Sequence, residues 1–200
     1  MATITRRVGP IDHGERMTFD EFIEADFEDG WLYELARGVI VVTEVPGINH
    51  GRIVGRLTET FVVYRINHPH ILNYYRAGGG ECRIRLPGMQ SDRHPDQAVY
   101  LLPPPEGLSP WTRWAPQVVV EVVSAGGEER DYVEKREEYL RAGVAEYWIL
   151  DPATRILRVL RRAGDIWEET LVPAEATYRT HLLPGLEVRP DALLGPVETV

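Results

Sequence analysis

Apolar residues along the chain follow two spacings, one typical of helices and one typical of strands. After Asn49, which is expected to cap a helix, apolar side chains recur every three or four residues: Val54, Leu57, Phe61 and Tyr64. Val118–Val123 is apolar at every position but one, which is typical of a central strand covered on both faces. The two patterns together predict a core in which helices pack on a sheet.

Shorter patterns predict the other elements. Two more helices are expected at Phe19–Ala25, with Thr18 as the cap, and at Asp131–Ala142, which ends at Gly143. Strands are predicted at Trp31–Leu35, Val39–Glu44, Ile71–Ala77, Glu81–Leu86, Gln97–Leu102, Tyr147–Leu150 and Ile156–Leu160. Strands and helices interleave, so we expect one α/β (α+β) domain over residues 17–190, preceded by a flexible arm (1–16) and followed by a tail (191–200).

Composition excludes several classes of protein. One cysteine among 200 residues rules out an internal disulfide framework and a cysteine-based zinc finger. No apolar run approaches the ~20 residues of a membrane span, and the N-terminal residues lack the apolar region of a signal peptide. We therefore expect a soluble, cytoplasmic protein that does not contact membranes.

The formal net charge of −9 argues against a general nucleic-acid coat protein. Seven arginines and three acids nevertheless fall within residues 52–93, so a basic face on an acidic body remains open. Of the 22 basic residues, Lys135 is the only lysine, which makes its position informative.

Glu121 interrupts the apolar strand Val118–Val123. Burying an ionised carboxylate costs several kcal/mol or more unless it is paired, protonated or bound to a metal. Glu121 could pair with an arginine or face solvent from an edge strand. The alternative is that a cation sits beside it.

Asp96 begins the predicted strand Gln97–Leu102, and such a strand start can lie beside the middle of a neighbouring strand. Two carboxylates that converge from adjacent strands suit a hard cation such as Mg²⁺, which takes oxygen ligands. Pro95-Asp96 alone is more often a turn than a metal site. Together with Glu121, it predicts a site for Mg²⁺ or Mn²⁺.

Lys135 lies on the apolar side of the predicted helix Asp131–Ala142. At about 100° per residue it falls between Tyr139 and Ala142, whereas the opposite, solvated side carries Glu134, Glu137, Glu138 and Arg141. Lys135 could extend its stem along apolar surface with the ammonium in water. The alternative places the ammonium beside the carboxylates, where it could orient or help deprotonate a water.

Other candidates have weaker signals. Glu34, in a mostly apolar strand, could add an oxygen ligand or be exposed, and His50 could contact a phosphate or lie on the surface. Two arginine pairs could bind backbone phosphates or be solvated: Arg52 with Arg56, and Arg83 with Arg85. The sequence contains no Gly-rich phosphate loop or dinucleotide fingerprint, so we expect no nucleotide cofactor.

Several segments resemble the Uma2 family (DUF820) of restriction-endonuclease-like proteins. The matching segments are Met17–Phe22, Tyr33-Glu34-Leu35 with Gly38, His50 with Arg52-Ile53-Val54, Pro95-Asp96, Val119–Ser124, Glu134–Tyr139 and Glu146-Tyr147-Trp148. The resemblance covers about residues 17–190 and is most specific from Val119 to Trp148. Ser124 is followed by Ala125-Gly126-Gly127, and Gln97 follows Pro-Asp, which are departures from the family pattern.

The resemblance implies a restriction-endonuclease-like PD-(D/E)XK core, with a mixed central sheet flanked by helices and a Mg²⁺-dependent cleft that cuts phosphodiesters. Asp96 and Glu121 become metal ligands and Glu34 an additional acid. The common core has a lysine two residues after the second acid, where this chain has Val123. The family moves that lysine to the following helix, where Lys135 lies.

These considerations predict an endonuclease that cuts DNA with a Mg²⁺-activated water. Cleavage of both strands of a duplex favours a homodimer, because twofold dimers are the commonest oligomers. Two other functions remain open: a nuclease-like module that binds without catalysis, and a metal-dependent hydrolase of a small phosphate ester.

Overall fold

The computed structural model describes residues 5–44, 47–71, 74–107 and 110–196. The first half contains β1 (Arg7–Val8), α1 (Phe19–Glu24), β2 (Asp26–Phe27), β3 (Trp31–Ala36), β4 (Val39–Glu44), α2 (Ile48–Asn67), β5 (Tyr75–Ala77), β6 (Ile84–Leu86), β7 (Ser91–Arg93) and β8 (Gln97–Tyr100). The second half contains β9 (Val118–Val122), α3 (Lys135–Ala142), β10 (Glu146–Asp151), β11 (Ile156–Ala163), β12 (Ile166–Val172), β13 (Tyr178–Arg179), β14 (Glu187–Val188) and α4 (Pro190–Leu194).

The main sheet has the strand order β12-β11-β10-β9-β8-β5 among the described residues. Strands β9 and β10 run parallel, and the other neighbours are antiparallel. All residues of β9 and β10 are buried, as expected for strands at the centre of a sheet with both faces covered. The mixed sheet and its flanking helices confirm the predicted α+β class.

Alternate residues of β9 pack against different layers. Val118, Val120 and Val122 join the cluster that contains Leu57 and Phe61 of α2. Val119 and Val123 join the cluster that contains Tyr139 of α3. Because side chains alternate along a strand, Glu121 points to the α3 face.

A second sheet, in the order β4-β3-β7-β6, lies N-terminal to most of the main sheet in sequence. Strands β3 and β4, both predicted from the sequence, form an antiparallel hairpin that pairs from Trp31↔Glu44 to Ala36↔Val39. Strand β7 pairs with β3 only at Leu35↔Asp92. The edge of β3 from Trp31 to Glu34 therefore has no strand partner on that side within the described residues.

The described parts of the predicted arm and tail pack against the rest of the domain. Strand β1 pairs with β2, and Val8 is buried against Phe19 and Phe22 of α1. In the predicted tail, Leu193 and Leu194 of α4 are buried in the cluster on the α2 side of the main sheet. A few apolar side chains therefore attach both ends of the described chain to the domain. They are too few to show a helical or strand spacing in the sequence.

Several predicted boundaries also change. The strand predicted at Ile71–Ala77 covers only β5, with residues 72–73 outside the described part. Gly79–Glu81 forms a 3₁₀ turn, so the strand predicted at Glu81–Leu86 shortens to β6. Gly47, rather than Asn49, precedes the first residue of α2. No helix in the described part of the chain is long and apolar enough to cross a membrane.

Candidate active site

Glu121 is buried where β9 faces α3, and only 3% of it is exposed. Its carboxylate receives a short hydrogen bond from Tyr139, with 2.5 Å between Tyr139 Oη and Glu121 Oε1. Lys135 Nζ lies 2.9 Å from the same oxygen. Two donors from α3 thus compensate for the loss of water around this carboxylate.

Asp96 lies beside Glu121 because of the register between β8 and β9. Gln97 pairs with Val120 in these antiparallel strands, so the residue before Gln97 lies next to Glu121. Val122 N donates to Asp96 Oδ2 at 2.7 Å, and Asp96 N donates a longer bond of 3.4 Å to Glu121 Oε2. The structure therefore brings the two predicted carboxylates together at one point of the main sheet.

Lys135 occupies the centre of a helical face that points at Glu121. Asp131, four residues earlier, places Oδ1 3.1 Å from Lys135 Nζ, and Tyr139 follows four residues later. Residues at this spacing lie on the same side of a helix. The predicted inward orientation of the only lysine in the chain agrees with its burial beside two carboxylates.

The helix widens just before Lys135. Arg130–Glu134 forms a π-helical turn, and Lys135 N donates to Arg130 O, five residues earlier. Such turns are rare in proteins, and those that occur are often at functional sites. Here the turn leads directly into the face that contacts Glu121.

Burial and charge act in opposite directions on the pair Glu121–Lys135. Burial raises the pKa of Glu121, the negative charges of Asp96, Asp131 and Glu34 act in the same direction, and only Lys135 opposes them among the leading causes. Burial alone would lower the pKa of Lys135, but the surrounding carboxylates raise it well above the usual lysine range. Lys135 is therefore held in its charged form.

Glu34 also lines the cleft, but its carboxylate is already bound. Arg93 Nη1 lies 3.2 Å from Glu34 Oε2, and His94 N donates to Glu34 Oε1 at 2.8 Å. Burial favours a higher pKa, but the charges of Lys135 and Arg93 and the His94 bond outweigh it and lower the pKa of Glu34 to about 2. Glu34 is thus a permanent negative charge, stabilised by Lys135 and bound directly by Arg93.

Glu138 differs from the sequence prediction, which places it on the solvated side of α3. It is fully buried, because Arg93 forms two hydrogen bonds with its carboxylate at 2.6 and 3.0 Å. Ser91 Oγ donates a third bond at 3.2 Å. An ion pair with β7 therefore replaces the expected contact with water.

The residues predicted to contact nucleic acid have different surroundings. His50 lines the cleft, with Nε2 3.1 Å from Asp96 Oδ2. Burial lowers its pKa, but the hydrogen bond and charge of Asp96 outweigh this effect, so the pKa of His50 is raised overall. Arg52 is on the exposed side of the first turns of α2.

Arg56, Arg83 and Arg85 contact other parts of the protein. Arg56 donates to Leu193 O at 3.0 Å and so binds the end of α4. Arg83 and Arg85 both lie 3.2 Å from Oδ2 of the buried Asp92. Arg83 still lines the cleft, whereas Arg85 does not. The structure therefore does not assemble these arginines into one basic face.

Asp96 and Glu121 both line a cleft of about 280 Å³. Among the described residues that line it, five are carboxylates and three are permanent cations, which gives a net charge of −2 with neutral histidines. No group of three or more His, Cys, Asp or Glu side chains in the described chain has the geometry of a metal site. Mg²⁺, however, usually binds one or two carboxylates and keeps several waters or phosphate oxygens, so Asp96 and Glu121 fit a divalent cation.

The sequence analysis does not identify Tyr139, Asp131 and Arg93 as parts of the site. The helical spacing from Lys135 is a signal that could have identified the first two. Arg93 precedes His94-Pro95-Asp96 in a polar segment whose pattern gives no sign that it is buried.

Comparison with known proteins places the chain among nuclease-like proteins. Residues 19–193 match the model of the Uma2 family, whose description is "putative restriction endonuclease". A solved structure, a putative nuclease of DUF820 from Anabaena variabilis ATCC 29413, matches with a TM-score of 0.68 and 17% identity. The match covers 89% of this chain and 97% of that one, which shows a shared fold. No curated protein matches the chain in sequence.

Proposed function

Because this chain belongs to the Uma2 family of "putative restriction endonucleases", we propose that it is an endonuclease that hydrolyses DNA phosphodiesters with Mg²⁺ or Mn²⁺. The proposal depends on one observation above all. Two carboxylates from adjacent strands, Asp96 and Glu121, meet beside a buried lysine at an open cleft.

Asp96 and Glu121 would hold the cation. When bound, it supplies Lewis-acid stabilisation of a phosphate and lowers the pKa of an attacking water. A dication also balances the net charge of −2 in the cleft lining, which would otherwise repel a phosphodiester. Glu34 adds negative charge nearby, but it takes part only if its contacts with Arg93 and His94 loosen.

Lys135 is placed to stabilise negative charge that develops on the reacting phosphate. Asp131 and Glu121 hold its ammonium in position, so little reorganisation is needed during the reaction. His50, which lies beside Asp96, would contact the phosphate as a further hydrogen-bond donor. A homodimer, with one site for each strand, belongs to this proposal.

Nicking of supercoiled plasmid with Mn²⁺ tests the proposed function. We expect Glu121→Gln and Lys135→Ala each to lower the nicking rate by roughly 100-fold or more, because each removes a group that binds the cation or the developing charge. Glu168→Gln and Arg136→Ala are matched controls, since both change exposed ion pairs outside the cleft.

Thermal unfolding must show that all four variants fold. Nicking at equal rates in the wild type, Glu121→Gln and Lys135→Ala would contradict the assignment. Binding of Mn²⁺ without any nicking would favour the non-catalytic binding module, and turnover of only small phosphate esters would favour the third function.

A further inference from the structure

The cleft that Asp96 and Glu121 line also has an apolar wall. This wall comes from β3 and the segment before it and includes Phe27, Trp31, Leu32 and Tyr33. A water molecule and a phosphate need only polar groups, so hydrolysis of a phosphodiester does not account for aromatic side chains at this position. The wall points to an apolar part of the substrate.

Part of the wall belongs to the protein core, and part does not. Phe27 packs against Phe22 and Tyr33, with ring centroids 4.9 and 4.8 Å apart. Trp31 and Leu32 belong to none of the hydrophobic clusters formed by the described residues, and Leu32 is 42% exposed. Core packing therefore does not explain why these two apolar side chains line the cleft.

Trp31 and Leu32 lie on the unpaired edge of β3. Consecutive side chains point to opposite sides of a strand, so the cleft reaches both sides of β3 at this end of the strand. The backbone of an unpaired edge has free N–H and C=O groups. A planar group that enters here meets both an aromatic face and hydrogen-bonding groups.

The two walls together match the two parts of a nucleotide. The lining combines charged groups that suit a metal-bound phosphate, Asp96 and Glu121 among them, with the aromatic ring of Trp31, which suits a base. At about 280 Å³ the cleft is at the small end of ligand sites, which suits one nucleotide unit rather than two stacked base pairs. A base can reach such a wall only when it is unpaired, either in a single strand or after extrusion from a duplex.

We propose that the cleft binds DNA with an unpaired base, which stacks on Trp31 while its phosphodiester lies against Asp96 and Glu121. The inference rests on the proposed function for the chemistry at the phosphate, but not for the binding of the base. Single-stranded DNA is therefore the preferred substrate, and a duplex is a poorer one because its bases must first unpair.

Binding measured in Ca²⁺ separates recognition from cleavage. Fluorescein-labelled single-stranded DNA and a perfect duplex of the same sequence are titrated with the full chain, and fluorescence anisotropy gives both affinities. We expect tighter binding of the single strand. Trp31→Ala should weaken it by roughly 5- to 100-fold, the usual effect of losing one base–aromatic stack, and Trp31→Phe should retain most of the affinity.

Trp111→Ala is the matched control, because it removes a tryptophan that does not line the cleft. Its affinity should equal that of the wild type. Quenching of tryptophan fluorescence by the single strand gives a second readout, which should be reduced in Trp31→Phe although four other tryptophans remain.

Equal or tighter binding of the duplex, or unchanged affinity in Trp31→Ala, would overturn the inference. Failure of the proposed function gives a different pattern: single-strand binding still depends on Trp31, but no DNA is cut with Mn²⁺. Conversely, metal-dependent nicking together with affinity that does not depend on Trp31 would leave the proposed function intact and overturn the inference alone.

Discussion

Glu121, Asp96 and Lys135 form the part of the site that single residues in the sequence indicate. A carboxylate inside an apolar strand and a lone lysine on the inner side of a helix are both unusual, so each stands out from its neighbours. Glu34 also interrupts a mostly apolar strand, whereas the sequence around its partner Arg93 has no such pattern. The sequence thus indicates which charged side chains are costly to bury, whereas the fold determines which partner compensates each buried charge.

The raised pKa of Glu121 leads to a prediction about pH. Burial favours the protonated carboxyl, but a divalent cation needs the carboxylate, so a proton competes with the metal. The affinity for Mn²⁺ should therefore rise with pH across neutrality, well above the ordinary carboxylate pKa of about 4. Isothermal titration calorimetry in buffers with different ionisation enthalpies should detect release of a proton on binding.

Glu121→Gln is the control for this pH effect. It should bind Mn²⁺ more weakly and lose most of the dependence on pH near neutrality. Affinity that is constant from weakly acidic to weakly alkaline pH in the wild type would show that Glu121 is either ionised throughout or not a ligand.

Strand β7 reaches the site through buried polar contacts rather than apolar packing. Strand β7 consists of Ser91, Asp92 and Arg93, all buried, and Arg93 joins Glu34 of β3 to Glu138 of α3. A three-residue polar strand has no apolar alternation, which is why the sequence analysis does not predict β7. The same contacts hold α3 in place, and with it Lys135.

Arg93→Ala tests the contribution of this network to stability. Removing one partner leaves buried carboxylates uncompensated, so we expect the free energy of unfolding to fall by about 3–5 kcal/mol. Arg161→Ala, which breaks an exposed pair with Glu168, should cost at most about 1 kcal/mol. Urea denaturation of both variants gives the comparison, and equal losses would contradict a special role of Arg93.

The glycine turn before β6 fixes the position of Asp96. A Cβ at Gly78 would lie only 2.0 Å from Asp96 O, whereas one at Gly80 would meet no heavy atom within 4 Å. Gly78→Ala should therefore displace the backbone at Asp96, destabilise the protein by about 1–3 kcal/mol and weaken Mn²⁺ binding. Gly80→Ala should be as stable as the wild type. Urea denaturation and calorimetry check both variants, and the same stability in both would refute this role of Gly78.

Across the whole molecule, the sequence predicts the main sheet better than its surroundings. Val118–Val123 and the helix around Leu57 have patterns long enough to define their faces, and the structure confirms both elements. Near the described ends of the chain, Val8 and Leu193 are buried although no apolar period surrounds either residue in the sequence. The structure of a short segment that packs against distant residues cannot be predicted from its own few residues.

At the scale of the whole molecule, three of the arginines considered for a basic face have partners within the protein. Arg56 binds the end of α4, and Arg83 and Arg85 both bind the buried Asp92. The cleft lining is itself acidic, with a net charge of −2, so the proposed binding of DNA there depends on a cation. A bound dication is central to that account.

Anomalous diffraction from crystals soaked in Mn²⁺ tests the central claim most directly. The account predicts a peak between the side chains of Asp96 and Glu121, within coordination distance of both carboxylates, and no such peak in Asp96→Ala. A well-occupied Mn²⁺ elsewhere, with Glu121 still bound only to Lys135 and Tyr139, would contradict it.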